Sequence, residues 1–410
     1  MCDDQRPLSH RPTVPVVDFD PTRPAIVRDP YPAFAERRAT EPVSWSSSLD
    51  EWVTFGHAEA DAVLRHRGLG RLWTLRWPDE PLPAYTLLHA HSMLENEPPT
   101  HTRLRRLVAA GFGRRQVERL RDRVTGIARG LARDVRDAGA DGSAVDLLPL
   151  YAEPLPVAVI ATLLGVPDSD RGLLRPWSNA IVKLYEAAPS AATRQAAETA
   201  AAEYVAYVRT LIAHRRDSPG DDLLSDLIAT RDADGSRLSE DELVATAVLL
   251  QMAGHEASVN VVGNGTHALL THPAERAALT VDGVPTAVEE LIRYDSPLQL
   301  FERTATQPVR IGAVTVEPGQ KIAALLGAAN RDPAVFADPD RLDLTRNPNP
   351  HLGFGAGIHF CLGAPLARVE LQAALSTLVT DLPGLQLAGE PRRHPTFTHR
   401  GLATLPVTVV

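Results

Sequence analysis

Apolar residues recur at helical spacing over five long stretches, 100–140, 149–165, 168–185, 191–217 and 239–270, and this periodicity predicts helices there. A shorter helix is expected to open at Asp29-Pro30-Tyr31-Pro32-Ala33-Phe34. Strict alternation is confined to two places. Val43-Ser44-Trp45 and Trp52-Val53-Thr54-Phe55 read as two small strands joined by a turn. After Pro297 the pattern changes again: Val309-Arg310-Ile311, Val314-Thr315-Val316 and Lys321-Ile322-Ala323-Ala324-Leu325 alternate, with Glu317-Pro318-Gly319-Gln320 as a turn. A proline-rich meander follows over 330–350. These elements add up to a mainly α fold with a small β region. No linker or repeat divides them, so 22–410 is expected to form one domain behind a polar, proline-rich and disordered start over 1–21.

Charge and cysteine usage narrow the chemistry. With 42 basic against 51 acidic residues the net charge is −9, which argues against a nucleic-acid partner. The two cysteines, Cys2 and Cys361, suit neither a disulfide framework nor a two-cysteine metal clip. No signal-like start and no run of about eighteen apolar residues is present, so a cytoplasmic protein without a membrane anchor is expected.

The densest chemical signal is Phe354-Gly355-Ala356-Gly357-Ile358-His359-Phe360-Cys361-Leu362-Gly363. Its glycines permit turns and close approach of a large planar group. The sequence after Cys361, Leu362-Gly363-Ala364-Pro365-Leu366-Ala367-Arg368, is a helix start with an early proline. A sulfur at a helix N-terminus is expected to have a lowered pKa and to favour thiolate. Taken alone, the loop also suits an ordinary buried cysteine. A zinc site built from Cys361 and His359 would fall short of a tetrahedral set.

Glu290-Leu291-Ile292-Arg293 places an acid and a base three apart on one helix face. Farther on comes Phe336-Ala337-Asp338-Pro339-Asp340-Arg341-Leu342-Asp343, and a buried triad of Glu290, Arg293 and Arg341 would pin the meander to that helix. The cysteine loop, the Glu-x-x-Arg helix and the Asp-Pro-Asp-Arg segment, in this order, resemble the haem-thiolate monooxygenases, the cytochromes P450. The resemblance runs from about Asp29 to the C-terminus. It implies a triangular-prism fold, haem b, and Cys361 as the thiolate ligand of the iron, with O2 as co-substrate. It also implies that His101, Arg105, Arg303 and His359 hold the propionates, with Phe354, Gly363 and Ala253 against the cofactor. His101 and Arg105, four apart on a helix, suit one anionic target.

On the distal side, Leu249-Leu250-Gln251-Met252-Ala253-Gly254-His255-Glu256-Ala257-Ser258 matches the family's central helix, in which Gly254 is expected to loosen the helix beside the oxygen site. The sequence departs from the pattern at Ala257, where the family usually has threonine. Leu249, Ala253 and Ala257 share one stripe, and Ser258 is turned away by about a hundred degrees. A subgroup including macrolide-precursor hydroxylases also has alanine here and uses a substrate hydroxyl with ordered water. The same is expected of this chain, with Glu256 feeding protons; compensation by Ser258 is the alternative.

The connection 68–97, with Trp73, Trp77, Tyr85, Leu87, Leu88, His89 and Met93, is expected to overhang the pocket. Trp177, Ile181, Leu184, Tyr185, Leu249, Leu298, Leu300, Phe397 and Thr398 match other wall positions. No flavin or iron–sulfur segment is visible, so electrons are expected from NAD(P)H through a ferredoxin reductase and a ferredoxin. The ferredoxin would dock on Arg105, Arg106, Arg114, Arg115 and Arg368 of a monomer. The expected function is hydroxylation or epoxidation of a hydrophobic natural-product intermediate such as a polyketide, macrolide or terpenoid. Oxidative coupling on the same fold is the alternative, and a non-catalytic haem sensor the alternative from another class.

Overall fold

The computed structural model describes residues 16–17, 19–74, 77, 79–109, 114–186, 188–231 and 235–409. Its helices are α1 (Pro24–Arg28), α2 (Tyr31–Thr40), α3 (His57–Arg65), α4 (Pro83–Ala90), α5 (Thr100–Ala109), α6 (Arg114–Ala138), α7 (Pro154–Leu164), α8 (Arg171–Val182), α9 (Ala191–Asp217), α10 (Leu223–Ala229), α11 (Glu240–Thr271), α12 (Pro273–Ala278), α13 (Val284–Tyr294), α14 (Leu326–Ala329) and α15 (Ala364–Asp381). The strands are β1 (Val16–Val17), β2 (Val43–Ser46), β3 (Glu51–Thr54), β4 (Leu69–Gly70), β5 (Val145–Asp146), β6 (Leu300–Ala305), β7 (Val309–Ile311), β8 (Val314–Val316), β9 (Lys321–Leu325), β10 (Leu385–Leu387), β11 (Arg392–Arg393), β12 (Leu402–Thr404) and β13 (Pro406–Val409).

The mainly α class with a small β region is observed, and local chemistry accounts for the element ends. Ser239 and Glu242 close a capping box at the start of α11, satisfying donors that a helix leaves open. Gly165 ends α7 in the left-handed region with φ 70°, where a side chain would be strained. The stretch 100–140 holds two helices, α5 and α6, flanking residues outside those described. The apolar faces of α6, α7, α8, α9, α11, α13 and α15 share one core, in which Leu104, Leu147, Tyr151, Leu155, Val208 and Ala287 have no exposed surface.

The six-stranded sheet runs β1-β2-β3-β9-β6-β4. β3 and β9 pair in parallel, Trp52 opposite Ile322, and β6 pairs antiparallel with β9, Arg303 opposite Ile322. β6 has no counterpart among the alternating segments, because Leu-Phe-Glu-Arg-Thr-Ala mixes polar and apolar residues on both faces. Likewise 68–97 is no plain connection, since it holds β4, α4 and the turn Met93–Glu95. The expected disorder over 1–21 falls mostly outside the described residues. Val16–Val17 nevertheless pairs with Trp45 and Ser46, and Phe19 packs on Phe34, Phe55 and Phe397 at 5.8, 5.7 and 5.6 Å between ring centres, so packing begins ahead of residue 22.

The meander is pinned as expected, but by a different third residue. Glu290 and Arg293 are fully buried, and Arg293 donates Nε and Nη2 to the two carboxylate oxygens at 2.7 Å each. Arg341 instead gives its carbonyl to Arg293 at 3.2 Å, and its side chain is 65% exposed. The second guanidinium on Glu290 belongs to Arg346, whose Nε lies 3.1 Å from Oε2 and whose side chain is 9% exposed. Arg341 faces solvent because the chain turns at Asp338, which adopts φ 46°, and re-enters only at Leu342. Denaturation should rank the variants accordingly. Arg293→Met, which leaves Glu290 buried without its main partner, should cost about 3 to 5 kcal/mol. Arg346→Ala should cost about 2 kcal/mol, and Arg341→Ala less than about 1 kcal/mol; equal losses at 341 and 346 would contradict this assignment.

Candidate active site

Cys361 sits between the short turn Gly357–His359 and the N-terminus of α15. Gly355 and Gly357 take φ 68° and 71°, and a Cβ on Gly357 would lie 2.5 Å from the Leu64 carbonyl oxygen, so the loop needs glycine there. The Cys361 amide donates to the Phe354 carbonyl at 2.9 Å, closing the loop on itself. Arg368 stacks over the Phe354 ring at 4.5 Å and donates to both carboxylate oxygens of Glu289, at 2.7 and 2.8 Å. Burial opposes ionisation of Glu289, but Arg368 and His351 outweigh it and hold the carboxyl at about 2. The thiol does not behave as the helix start suggests. Burial pushes Cys361 above its ordinary value, and the amides of Gly363 and Ala364 and the charge of Arg105 offset this only in part.

Beside the loop lies an arc of cationic and imidazole groups with too few anions. His101 and His359 stand 4.5 Å apart between ring centres. Both ring nitrogens of His101 are buried without a hydrogen-bond partner. Burial, His359 and Arg105 lower its pKa to about 4. His359 Nε2 is 2.7 Å from Glu97 Oε1. Arg303, on β6, is buried with one bond to the Glu302 carbonyl, and burial together with Arg71 brings it down to about 9. Arg105 donates to the Phe360 carbonyl at 2.7 Å. Arg71 was not legible as a site residue. It follows β4, pairs with Glu95 at 2.5 Å, and leaves Nε buried without a partner.

Across from the sulfur runs α11. Leu249, Ala253 and Ala257 all face a cavity of about 1000 Å³ that also reaches Cys361, His101 and Arg303. The helix is unbroken at Gly254, contrary to the expected loosening. Glycine is required by packing instead, since a Cβ there would lie 2.6 Å from Ile160 Cγ1 on α7. Ser258 is buried beside Glu370 of α15, a second residue the sequence did not flag, and both line the cavity. Burial pushes the Glu370 carboxyl up to about 8, with the Ser258 hydroxyl opposing. Glu256 behaves oppositely: burial works against its charge, but His255, His399 and Arg175 together leave it below the usual carboxylate range. His255 Nε2 approaches Glu256 Oε1 to 3.4 Å, too poorly aligned for a hydrogen bond.

The cavity wall includes Leu184, Tyr185, Leu298, Leu300, Phe397 and Thr398, and from the 68–97 segment Trp73, Trp77, Tyr85, His89 and Met93, all as expected. Leu87, Leu88, Trp177 and Ile181 do not line it. On α4 the face carrying Tyr85 and His89, four apart, meets the cavity, which turns Leu88 into the core. Trp177 packs on Tyr204 and Tyr207 and donates Nε1 to Glu203 at 2.8 Å, and Ile181 is fully buried.

The family model for Cytochrome P450 matches residues 284–393, the span holding Glu290, Arg293, the meander and the cysteine loop. The chain is 41% identical to the cytochrome P450 monooxygenase PikC of Streptomyces venezuelae, over 96% of this chain and 94% of that one. The chain is a cytochrome P450. The P450 is also 40% identical to the 6-deoxyerythronolide B hydroxylase of Saccharopolyspora erythraea, over 92% of this chain and 96% of that protein. It superposes on the crystal structure of P450BioI in complex with a fatty-acyl acyl carrier protein with TM-score 0.89 at 34% identity, covering 94% and 99% of the two chains. The prism fold expected from the resemblance is therefore present, and the chain is a monooxygenase whose cofactor is haem-thiolate iron and whose co-substrate is O2. The family also overturns the sensor and zinc alternatives. No helix among the described residues is long and apolar enough to cross a membrane.

The residues fit that cofactor. A large cavity meets one buried sulfur, and His101 and Arg303 present unpaired donors or charge that two propionates would satisfy.

The Glu370 shift has a testable sign. Its carboxyl titrates near 4.5 when unfolded and near 8 when folded, so the native state binds more protons between these values and stability falls as pH rises from 4.5 to 8. Glu370→Gln should flatten that segment of a denaturation-versus-pH profile; a slope identical to the parent's would show that Glu370 is ionised in the fold.

Proposed function

We propose that this P450 inserts one oxygen atom, by hydroxylation or epoxidation, into a hydrophobic natural-product intermediate that already carries oxygen, such as a polyketide, macrolide or terpenoid. The single observation behind this reading is Ala257, which presents a methyl group to the cavity opposite Cys361 where a hydroxyl is usual. The identity to PikC and to a 6-deoxyerythronolide B hydroxylase supports the same class of substrate.

In this reading residues 22–410 act as one domain, and Cys361 would hold the haem iron through its sulfur. Bound haem supplies oxygen activation, for which thiolate donation favours O–O cleavage. Bound as thiolate, the sulfur would have its charge held by the Gly363 and Ala364 amides. His101, Arg105, Arg303 and His359 would bind the propionates, with Phe354, Gly363 and Ala253 against the macrocycle. Glu256, ionised at rest, takes protons and hands them to water in the cavity. A substrate hydroxyl positions that water in place of the absent threonine. Ser258, one position on along α11 and beside Glu370, is not given the threonine's role in this reading. Gly254 admits Ile160 so that the helix packs closely on α7. The Glu290, Arg293 and Arg346 cluster holds the meander behind the loop.

Electrons reach the P450 from NAD(P)H through a ferredoxin reductase and a ferredoxin in the cytoplasm. Ile358 and Phe360, 45% and 40% exposed on the cysteine loop, and the neighbouring Arg105 offer the ferredoxin a docking face on a monomer. Arg368 is engaged by Glu289 and adds less to that face than its sequence position suggests. Arg106 is exposed, and the side chains of Arg114 and Arg115 lie outside the described residues.

The missing alcohol also suits oxidative coupling, which gains no oxygen, so turnover under labelled O2 separates the two. A product one labelled oxygen atom heavier is expected, and a coupled product without label would overturn the hydroxylase reading. Ala257→Thr should lower product formed per electron for a hydroxyl-bearing substrate, because the new side chain displaces the ordered water, and raise it for a substrate lacking the hydroxyl. An unchanged ratio with every accepted substrate would contradict substrate-assisted proton delivery.

A further inference from the structure

Glu186, just beyond α8, gathers three consecutive amides of the C-terminal loop: Phe397 and Thr398 donate to Oε2 at 3.1 and 3.3 Å, and His399 to Oε1 at 3.4 Å. Thr396 Oγ1 donates to the His399 carbonyl at 2.8 Å, and His399 forms a β-bridge with Leu298. The His399 ring lies nearly parallel to that of Tyr185, 6.0 Å between centres and 23° between planes. An imidazole fixed from backbone, bridge and ring face is a rigid element of the cavity wall.

Its two nitrogens differ. Nδ1 is buried and has no hydrogen-bond partner. A bare acceptor is tolerated in such a place better than an orphaned N–H. The ring is held neutral by burial against the opposing charges of Glu256 and Glu186, so with Nδ1 as the orphaned acceptor its proton belongs on Nε2 of this cavity-lining residue. Glu256, on α11, lines the same cavity as a carboxylate, and its Oε1 is also buried without a partner. The groups facing this pole are His255, Glu153, Tyr204 and His394 around Glu256, Arg175 on α8, and Glu186 and Tyr185 beside His399.

We propose that His399 and Glu256 form a donor–acceptor pair that recognises an alcohol group of the substrate, whose oxygen accepts from His399 Nε2–H while its proton is donated to the Glu256 carboxylate. A ketone offers only the acceptor half, and a hydrocarbon neither. The assignment rests on the reading above, in which a substrate hydroxyl assists proton delivery, and it names the residues that hold that hydroxyl.

Cyclododecanol, cyclododecanone and cyclododecane share one ring and differ only at this group. Titration of the ferric holoenzyme by Soret shift, with equilibrium dialysis for ligands that give no shift, yields their affinities. The alcohol should bind about five- to tenfold more tightly than the hydrocarbon, with the ketone between. His399→Phe should bring the alcohol down to the level of the hydrocarbon and leave the hydrocarbon unchanged. His399→Gln, whose amide reaches the position of Nε2, should restore part of the preference. Equal affinities in the parent, failure of the alcohol to bind, a preference that survives His399→Phe, or an equal loss for all three ligands would each overturn the pair. Such failures leave the haem-thiolate assignment standing, since that is read separately from the cofactor's own spectrum.

Discussion

The position of the reactive sulfur depends on an ion pair about which no water is left. Glu290 and Arg293 have no exposed surface. Removing two such charges from water costs several kcal/mol per ion unless every lone pair and proton is met. Here they are met. The carboxylate accepts from Arg293, Arg346, Asn349 and the Asp343 amide. Arg293 also reaches the carbonyls of Asn330, Pro339 and Arg341. All these partners but Arg293 itself come from the meander, which therefore closes on α13 in one arrangement. Asn330 then accepts from the Leu352 amide at 2.7 Å, passing that order to the start of the cysteine loop.

The cavity above is governed by where charge is tolerated. Two carboxyl groups near α11 are pushed in opposite directions, Glu370 up to about 8 by burial and Glu256 down by its histidine and arginine neighbours. One acid is thus kept neutral and the other ionised within the same site, a separation that fits distinct proton-handling roles. On the opposite face burial raises the thiol, and the amides of Gly363 and Ala364 with the charge of Arg105 oppose that rise around a buried sulfur. The wall between these faces is aliphatic and aromatic, with polar groups concentrated at a few places such as His399.

Much of this was legible in the sequence. Helical periodicity located the long helices, and the glycine spacing around Cys361 announced a tight loop because only glycine accepts φ near 70° there. What the pattern could not show was direction. Arg341 and Arg346 both lie in a charged, proline-rich segment, and which one turns inward is decided by the bend at Asp338. Leu88 and Trp177 look like pocket residues until the rotation of α4 and α8 is known. β6 lacks an alternating pattern because both its faces are partly covered. Arg71, Glu370 and His399 carry no local motif, and only tertiary packing gives them buried, imperfectly paired environments.

The most direct measurement is the absorption spectrum of the reduced, carbon-monoxide-bound holoprotein, recorded for the parent and for Cys361→His. The parent should show the red-shifted Soret band of a thiolate-ligated haem, and the substitution should move it to the position of an imidazole-ligated one while haem remains bound. A folded, haem-loaded parent without the thiolate band, or a Cys361→His protein that keeps it, would contradict the placement of Cys361 on the iron.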